Sequence, residues 1–488
     1  MERVRFAPSP TGPLHIGGLR TALFNYLYAR KHEGVFILRV EDTDQNRKVE
    51  GSEDYILESL KWCGIEADES PVNEGSYGPY RQSERREIYK EYIQLLLANG
   101  KAYYAFDTTE ELADAREKSE KETGGFKYNH DNRNTFKNSL SLNDTQVEAL
   151  KEAGEYVIRL RVDADQEVLT QDLVRGTVRV NTNELEDKIL VKKDGMPTYH
   201  FANVVDDYLM KITTVIRGEE WLPSLPIHQL LYDAFGWEAP KFMHLPLILN
   251  PSGKGKVSKR DGDKNGYPVF PLQWNESSGY REQGFLPEAH LNYIAQLGWS
   301  LEDGKEIQSL EEMEQSFSVD RVQKGGARFD FEKAKWVNKG HLNKYSSAKL
   351  INDFNIQFTK HHDALGDSLL AAVELIKDRL ELLTDIEKEM TVFVHDPVNY
   401  DEKSIKRISK FDVQSIAVEL KHLLNDGVEN LKERIGAKAK DLDLGMGAFL
   451  QTLRVAVVGG LSGPDLIPLV EVIGKDVTLR RLERLINS

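Results

Sequence analysis

The chain has 488 residues, of which 40% are hydrophobic and 29% charged, and its formal net charge is −15. This length predicts roughly two to four domains, and this composition excludes a disordered chain and a membrane-embedded one. Cys63 is the only cysteine, which excludes an internal disulfide framework and a cysteine-rich zinc site.

The start of the chain and its apolar runs lead us to expect a cytoplasmic protein. The opening MERVRFAPSP lacks the apolar stretch of a secretory signal. The most apolar run, residues 455–470, is broken by Gly, Ser, Pro and Asp before it reaches the roughly 18 residues that a membrane helix needs. The acidic excess does not exclude a nucleic-acid partner, because phosphate binding depends on local basic surface.

The first predicted elements are a strand, a helix and a second strand. Residues 3–7 alternate apolar and charged side chains, as a strand does, and a Pro-rich loop follows at 8–13. The helix is expected to begin near Leu14, and residues 35–40 form the second strand. This order predicts a βαβ unit with a parallel sheet, which binds ligands at the carboxyl ends of its strands. Residues 7–11 and 41–44 would lie at those ends.

The middle of the chain has a different pattern. A polar helix is predicted at 109–122, with short strands at 156–162 and 176–181 and a turn at 193–195. We interpret this part as an insertion with its own small fold. Alternating strands and helices resume over 199–237, and a loop rich in Gly and Lys is predicted at 251–266.

From about residue 340 the patterns are helical and strand signals are scarce. One amphipathic helix is predicted to carry five apolar residues on one face and to be capped by Asp367 or Ser368; these residues are Leu369, Val373, Ile376, Leu380 and Leu383. The sequence therefore predicts an all-helical C-terminal region.

The first motif that carries chemistry lies between the first strand and helix. It consists of Pro8, Ser9, Pro10, Thr11, Gly12, Pro13, Leu14, His15, Ile16, Gly17 and Gly18. A helix start presents free N–H groups to an anion, the glycines let a nucleotide approach, and His15 can donate to a phosphate oxygen. The alternative is a Pro-rich turn before an ordinary N-capped helix, with His15 merely exposed.

The second motif is a basic stretch far downstream. It consists of Lys254, Gly255, Lys256, Val257, Ser258, Lys259 and Arg260. Lysines on a mobile loop suit a clamp on a polyphosphate, where they would stabilise the charge that builds up as pyrophosphate leaves. The alternative is a solvated basic loop without a ligand.

Together the two motifs resemble the paired signatures of class I aminoacyl-tRNA synthetases, and their order along the chain matches. Further segments resemble the bacterial glutamyl-tRNA synthetase family, specifically up to about residue 340 and more faintly at 453–456 and 463–464; they are 5–18, 20–23, 38–44, 80–83, 197–207 and 216–221. The resemblance implies an ATP-dependent, AMP-forming ligase that makes glutamyl-adenylate and transfers glutamate to the 3′-terminal adenosine of tRNA-Glu.

The resemblance also implies an α/β fold with a Rossmann-type parallel-sheet catalytic domain, an α+β insertion and an all-helical C-terminal anticodon-binding region. The catalytic domain would comprise 1–90 and 199–252, separated by an acceptor-binding insertion at 91–198. A stem-contact domain with the lysine-rich loop would follow at 253–336, and two helical anticodon-binding subdomains at 337–390 and 391–488.

Residue roles follow from the resemblance position by position. Glutamate would be bound by Arg5, Ala7, Ser9, Glu41, Tyr199, Asn203 and Arg217. Two carboxylates and one ammonium group call for arginine forks and one acid, so Arg5 and Arg217 would hold carboxylate and Glu41 the amino group. ATP would be bound by His15, Gly17, Gly18, Glu220 and Lys259, with His15, Lys256 and Lys259 acting in catalysis. No residue need act as a covalent nucleophile.

Three departures from the family pattern concern the motifs and a metal site. Gly18 occupies the position of the second histidine of the general class I motif, and Val257 occupies the position of the usual methionine. Some relatives bind zinc through cysteines near the positions of Ala105, Asp107 and Asn132. None of these three residues is a cysteine, so no zinc is expected here. Mg²⁺ would be held mainly by ATP. The acids at 42–44 could suggest metal ligation, but a structural turn is the preferred interpretation.

The expected partners are tRNA-Glu, ATP and L-glutamate, with no membrane and a monomeric chain. Four cations form a candidate phosphate track or, alternatively, a solvated helix face; they are Lys432, Arg434, Lys438 and Lys440. The alternatives are a glutaminyl-tRNA synthetase, a short tRNA-modifying paralogue, a small nucleotidyltransferase and a non-catalytic tRNA-binding scaffold. The family further implies that glutamate activation needs bound tRNA.

Overall fold

The computed structural model describes residues 1–301 and 304–487. Residues 302, 303 and 488, which fall in two of the predicted domains, lie outside the described residues. The chain divides into two compact units. The first comprises Met1–Tyr280 and His290–Phe331, and the second comprises Arg281–Ala289 and the chain from Glu332 onward. The finer division into six segments stays a prediction.

The described strands all belong to the first unit. They are β1 (Arg3–Phe6), β2 (Val35–Leu38), β3 (Ala102–Ala105), β4 (Val157–Leu160), β5 (Glu167–Asp172), β6 (Gly176–Asn181), β7 (Ile189–Val191), β8 (Thr214–Gly218), β9 (Lys241–Leu245), β10 (Ile248–Leu249) and β11 (Ala327–Arg328).

Helices alternate with these strands, and α9 runs from the second unit into the first. They are α1 (Ile16–Lys31), α2 (Ser52–Cys63), α3 (Arg86–Ala98), α4 (Thr109–Thr123), α5 (Asp144–Glu152), α6 (Tyr199–Leu209), α7 (Leu225–Phe235), α8 (Lys259–Asn265), α9 (Pro287–Gln296) and α10 (Leu310–Ser316).

The predicted βαβ unit is confirmed. Strands β1 and β2 pair in parallel, from Arg3 opposite Val35 to Phe6 opposite Leu38. Helix α1 buries the apolar face that the spacing predicts, and its last turn leads into Gly34. A Cβ at Gly34 would lie 2.4 Å from the main-chain oxygen of Glu2, so only glycine allows the chain to return this closely beside β1.

A four-stranded sheet lies in the first unit. Its order is β6-β5-β9-β8, with β5, β9 and β8 parallel to one another and β6 antiparallel to β5. Strand β8 also lies beside β1, since the N–H of Thr213 donates to the carbonyl of Arg3 at 2.9 Å. Although β5 and β6 lie in the segment predicted as an insertion, they belong to this sheet. Their arrangement brings the carboxyl ends of several parallel strands to one edge.

The rest of the inserted segment forms a small antiparallel sheet of order β3-β4-β7. Its core contains Tyr103, Ala105 and Tyr128, all buried. Near the positions where relatives carry zinc-binding cysteines, Asp107 accepts hydrogen bonds from the Tyr128 hydroxyl at 3.2 Å and the Lys137 N–H at 2.9 Å. Aromatic packing and hydrogen bonds therefore hold this part of the insertion together.

The second unit is helical, and no strand occurs among its described residues. Its helices are α11 (Phe331–Leu342), α12 (Ser347–Asp353), α13 (Asn355–Leu365), α14 (Leu369–Ile376), α15 (Asp385–Val394), α16 (Glu402–Ile408), α17 (Val413–Asn425), α18 (Leu431–Asp441), α19 (Met446–Val458) and α20 (Leu466–Ile486), the last interrupted at Gly474. The predicted fold class, a parallel-sheet catalytic part followed by a helical region, is confirmed.

One predicted helix of this unit was wrong in its length and its cap. Helix α14 ends at Ile376, although the apolar residues that follow it are still buried. The main-chain N–H groups of Glu381 and Leu382 donate to the carboxylate of Asp385 rather than to helix carbonyls, which turns the chain. Neither predicted cap holds, because α14 begins without a side-chain cap. Within the described ranges, no helix combines the length and the apolar character needed to span a bilayer.

Candidate functional site

A cleft of about 910 Å³ opens at the carboxyl ends of the parallel strands in the first unit. Every residue predicted to bind glutamate or ATP lines this cleft, and so do the two lysines predicted to act in catalysis. The motif residues that do not line it are Ile16, Lys254, Gly255 and Arg260. His15 and Lys259, which are more than 200 residues apart in the sequence, therefore share one cavity.

His15 is the N-cap of α1 and supplies a hydrogen-bond donor to the cleft. Its Nδ1 accepts the N–H of Gly17 at 3.2 Å, so the proton of the neutral ring is on Nε2. That Nε2 is buried and has no hydrogen-bond partner in the described part of the chain. Burial, with a smaller contribution from the Lys256 charge, lowers the pKa of His15 to about 4. The ring is therefore neutral at pH 7, and the exposed-histidine interpretation of the motif was wrong.

Gly17 and Gly18 of the first motif are glycines for different structural reasons. A Cβ on Gly17 would meet only His15 Nδ1, at 3.7 Å, so this position is open for a ligand to approach. A Cβ on Gly18 would lie 2.7 Å from Leu14 Cδ1, so a side chain there would displace Leu14. Packing within the fold therefore gives one reason for glycine at position 18, and the predicted role of Gly18 in nucleotide binding stays a prediction.

The second motif contains a short helix, so the prediction of a continuous loop over 251–266 was wrong. Val257 is buried and its N–H donates to the carbonyl of Ile248 at 2.9 Å. Ser258 then caps α8, and its N–H donates to the Asp261 carboxylate at 2.9 Å while its hydroxyl accepts the Asp261 N–H at 3.4 Å. This capping box fixes the start of α8, whose first residue is Lys259.

Lys256 already has a counter-ion inside the cleft. Its Nζ lies 2.7 Å from the Glu220 carboxylate, and both side chains are partly exposed. Burial would raise the pKa of Glu220, but the hydrogen bond and charge of Lys256 outweigh it and the pKa is lowered. Lys256, which is predicted to act in catalysis, and Glu220, which is predicted to bind ATP, are thus paired with each other.

A buried network of ions forms one wall of the cleft. Arg5 donates two hydrogen bonds to Asp207, at 2.9 and 3.2 Å, and Arg39 donates to both Asp207 at 2.7 Å and Glu41 at 3.0 Å. Asn203 donates to the same Glu41 oxygen, Oε1, at 2.9 Å. Among the described residues, Nη1 of Arg5 and Oε2 of Glu41 have no hydrogen-bond partner, so a donor and an acceptor remain for a ligand.

Arg217 is buried in another wall of the cleft, with 5% exposure, and has no carboxylate within 4.0 Å among the described residues. Its Nε–H donates to His244 Nε2 at 3.0 Å, and Nη1 lies 2.8 Å from the Tyr199 hydroxyl and 3.3 Å from His228 Nδ1. Its Nη2 donates to the Trp221 carbonyl at 3.3 Å. A cation surrounded by neutral acceptors keeps its full charge available for an anion, which the predicted carboxylate-binding role of Arg217 requires.

The acids at 42–44 form a structural turn, as preferred from the sequence. Asp42 accepts the N–H of Ser83 at 2.8 Å and its hydroxyl at 2.7 Å, and Asp44 is paired with Arg47 at 2.6 Å. Among the described residues, no group of three or more His, Cys, Asp or Glu side chains could hold a metal ion.

The cations of the predicted basic track differ in their surroundings. Arg434 donates to the carbonyls of Gly427 at 3.0 Å and Glu429 at 3.2 Å, and Lys438 pairs with Glu419 at 3.2 Å. These two cations therefore have partners within the second unit. Lys432 instead lines a separate cavity of about 790 Å³, together with Arg407 and Arg454.

Sequence reasoning missed the residues that hold the binding side chains in place. Asp207 and Arg39 lie in segments that carry the family resemblance, but their roles were not assigned. A signal was present, since Asp207 follows the apolar stretch of α6 and an acid there must be paired. His244 and Asp172 had no local signal, because their contacts depend on the order of strands in the sheet.

Comparison with known proteins identifies what this architecture is similar to. A family profile described as class I tRNA synthetases (E and Q), catalytic domain, matches residues 2–336, and an anticodon binding domain profile matches residues 346–486. The chain is 48% identical to the glutamate–tRNA ligase of Christiangramia forsetii and 49% to that of Flavobacterium psychrophilum; each alignment covers 100% of this chain and 99% of the relative.

Solved structures give the same result in three dimensions. A crystal structure of a glutamate tRNA ligase from Elizabethkingia meningosepticum in complex with its amino acid matches with a TM-score of 0.96 and 48% identity. That match covers 100% of this chain and 99% of the other. A glutamate–tRNA synthetase from Elizabethkingia anophelis matches with a TM-score of 0.94 and 48% identity over the full length of both chains.

Proposed function

The chain belongs to the class I tRNA synthetases of the glutamate and glutamine type, as a glutamate–tRNA ligase, and we propose that the cleft residues described above carry out its reaction. The observation that carries the assignment of roles is that Arg217 is buried in the wall of the cleft and has no carboxylate partner in the described part of the chain. Binding a carboxylate there supplies the missing negative charge, which is the requirement for recognising glutamate.

Glutamate would be held by charged groups that line the cleft. Arg217 binds the side-chain carboxylate, because no described carboxylate neutralises its charge, whereas Arg5 is already paired with Asp207. Nη1 of Arg5 is available to the α-carboxylate, and Oε2 of Glu41 accepts from the ammonium group. Ala7 and Ser9, which follow β1, and Asn203, which holds Glu41, complete this part of the cleft.

Activation would then proceed by direct attack of the glutamate α-carboxylate on the α-phosphorus of ATP. The bond to the β-phosphate oxygen breaks, and pyrophosphate leaves with its electron pair. His15 donates its Nε2 proton in a hydrogen bond to a phosphate oxygen, while Lys256 and Lys259 stabilise the charge that develops. The 3′-terminal adenosine of tRNA-Glu subsequently attacks the acyl carbon through a hydroxyl, and AMP leaves. Catalysis is thus orientation and electrostatics.

Glutamine is the competing substrate, because the family profile covers both amino acids. The amide nitrogen of glutamine would direct its N–H donors at the guanidinium of Arg217, whose nitrogens are also donors. This repulsion favours glutamate. The test is aminoacylation of purified tRNA-Glu and tRNA-Gln with each amino acid. Glutamylation of tRNA-Glu without glutaminylation supports the assignment, and charging with glutamine would contradict it.

Lys259→Ala tests the phosphate clamp. We expect adenylate formation to fall about a hundredfold, since a positioned charge on the leaving phosphates is lost, while tRNA affinity stays within a few fold. The measurement is glutamate-dependent ATP–pyrophosphate exchange with tRNA present. Lys264→Ala is the matched control, because Lys264 belongs to the same helix, α8, and does not line the cleft. Unchanged exchange in Lys259→Ala would refute the clamp.

The remaining parts of the proposal concern the state of the protein. The chain acts in the cytoplasm as a monomer, takes ATP with Mg²⁺ bound to its phosphates, and uses no zinc. Light scattering at the concentrations used for kinetics measures whether the chain is a monomer. A mass near twice the chain's 55.6 kDa would contradict the monomer.

A further inference from the structure

A row of buried polar side chains crosses three neighbouring strands behind the glutamate pocket. Arg217 of β8 and His244 of β9 are direct partners in the parallel register. Asp172, the last residue of β5, pairs with Phe242, two positions before His244 on β9. All three polar side chains are buried, with Asp172 at 3% and His244 at 0% exposure. The order of the sheet therefore sets a carboxylate, an imidazole and a guanidinium side by side.

The hydrogen bonds of this row fix the position of every proton. A guanidinium can only donate, so Nε2 of His244 must be the acceptor for Arg217, and the ring proton is on Nδ1. Nδ1 lies 2.7 Å from Asp172 Oδ2, which also accepts the main-chain N–H of His244 at 3.1 Å. The other oxygen, Oδ1, accepts the N–H groups of Val174 at 2.9 Å and Arg175 at 2.7 Å. The carboxylate is thus fixed by four donors.

The imidazole separates the negative charge of Asp172 from the positive charge of Arg217. Burial lowers the pKa of His244 despite the neighbouring carboxylate, so the ring is neutral. A carboxylate in its place would pair with Arg217 and cancel the charge that a substrate needs. A neutral acceptor restrains the guanidinium and leaves its charge available.

We propose that Asp172 and His244 form a positioning pair for Arg217, which holds the guanidinium in the orientation that receives the side-chain carboxylate of glutamate. This inference rests on the proposed role of Arg217. Neither residue touches substrate, so both act through Arg217. The pair sets glutamate affinity without contributing to ATP binding.

Substitutions of His244 that differ in charge and hydrogen bonding separate positioning from simple packing. His244→Gln retains a neutral acceptor and should keep the glutamate KM within a few fold of the parent. His244→Phe fills the space without an acceptor and should raise that KM about tenfold, the loss expected for one hydrogen bond to a charged group. His244→Glu should raise it further, because its carboxylate competes with glutamate for Arg217. The ATP KM should change little in all three.

His290→Phe is the control for loss of a buried histidine. His290 is fully buried in the same unit, and neither ring nitrogen has a hydrogen-bond partner in the described structure. Its replacement should leave the glutamate KM unchanged. If the three His244 variants instead rank by side-chain volume, or raise the KM for ATP as much as for glutamate, the positioning role is refuted.

The tautomer of His244 provides a test that needs no turnover. In ¹⁵N-histidine spectra of the whole protein, the resonance lost in His244→Gln should report a proton on Nδ1, and Asp172→Asn should shift that ring towards the Nε2-protonated form. A proton on Nε2 in the parent chain would overturn the pair. Parent protein that fails to activate glutamate would refute the proposed function instead, whatever the tautomer.

Discussion

Arg217→Ala should raise the KM for glutamate by at least about a hundredfold, because the side-chain carboxylate then enters a buried pocket without its cation. The KM for ATP should stay within a few fold. Arg217→Lys should be intermediate, since it keeps a charge but loses the planar fork. The measurement is ATP–pyrophosphate exchange with tRNA and varied glutamate. Slower turnover at an unchanged glutamate KM would count against carboxylate recognition.

The same substitution should affect the free energy of unfolding far less than it affects binding. Removing Arg217 gives up hydrogen bonds to neutral groups, but it also removes a buried charge that no described carboxylate neutralises. Glutamate should raise the melting temperature of the parent chain and leave that of Arg217→Ala unchanged, because only a bound ligand stabilises the folded state. Equal stabilisation of both chains would place the binding site elsewhere.

Asp207→Ala, in contrast to Arg217→Ala, should have a large effect on stability. It should lower the free energy of unfolding by about 3–5 kcal/mol. This carboxylate is 2% exposed and pairs with both Arg5 and Arg39, so its loss leaves Arg5 without a described carboxylate partner and weakens the neutralisation of Arg39, which keeps Glu41. Chemical denaturation followed by circular dichroism measures the change. Glu167→Ala is the control, because its pair with Arg179 is exposed and should contribute little. A loss no larger than that of the control would contradict the role of the network.

The pH dependence of the free energy of unfolding should show the contribution of the Asp207 carboxylate. Burial would raise the pKa of Asp207, but Arg5 and Arg39 lower it below the ordinary value of 3.8. Its contribution is therefore complete above about pH 4 and is lost as the pH falls through the lowered pKa. Burial raises the pKa of Glu41 above 4.5, so this carboxyl group titrates in a separate pH range, higher than that of Asp207. Asp207→Asn should remove the acid-side loss from the unfolding curve.

The sequence predicted the elements that are determined by short-range patterns of apolar and polar residues. The period-two pattern before residue 8 and the periodic leucines of α1 are enough to place a strand and a helix, and the structure confirms both. Every residue to which the family resemblance gave a binding or catalytic role lines the cleft, including Arg217 and Lys256. Those assignments themselves stay predictions until the substitutions above are made.

What the sequence could not predict depends on contacts between distant residues. Asp172 and Arg217 meet through His244 only because β9 lies between β5 and β8, an order that no local pattern encodes. Helix α14 stops early because Asp385, nine residues beyond its end, takes the next main-chain donors. A side-chain carboxylate competing for backbone N–H groups leaves the apolar periodicity intact, so periodicity alone overestimates the helix.

The pairing of Lys256 with Glu220 changes what nucleotide entry involves. On the roles given above, a triphosphate displaces an internal carboxylate from Lys256, and Glu220 is released at the same moment to bind another part of ATP. One anion is exchanged for another, and dissolved salt screens the outgoing contact as well as the incoming one. Nucleotide affinity should therefore vary with ionic strength less steeply than the number of lysines in the motif would suggest.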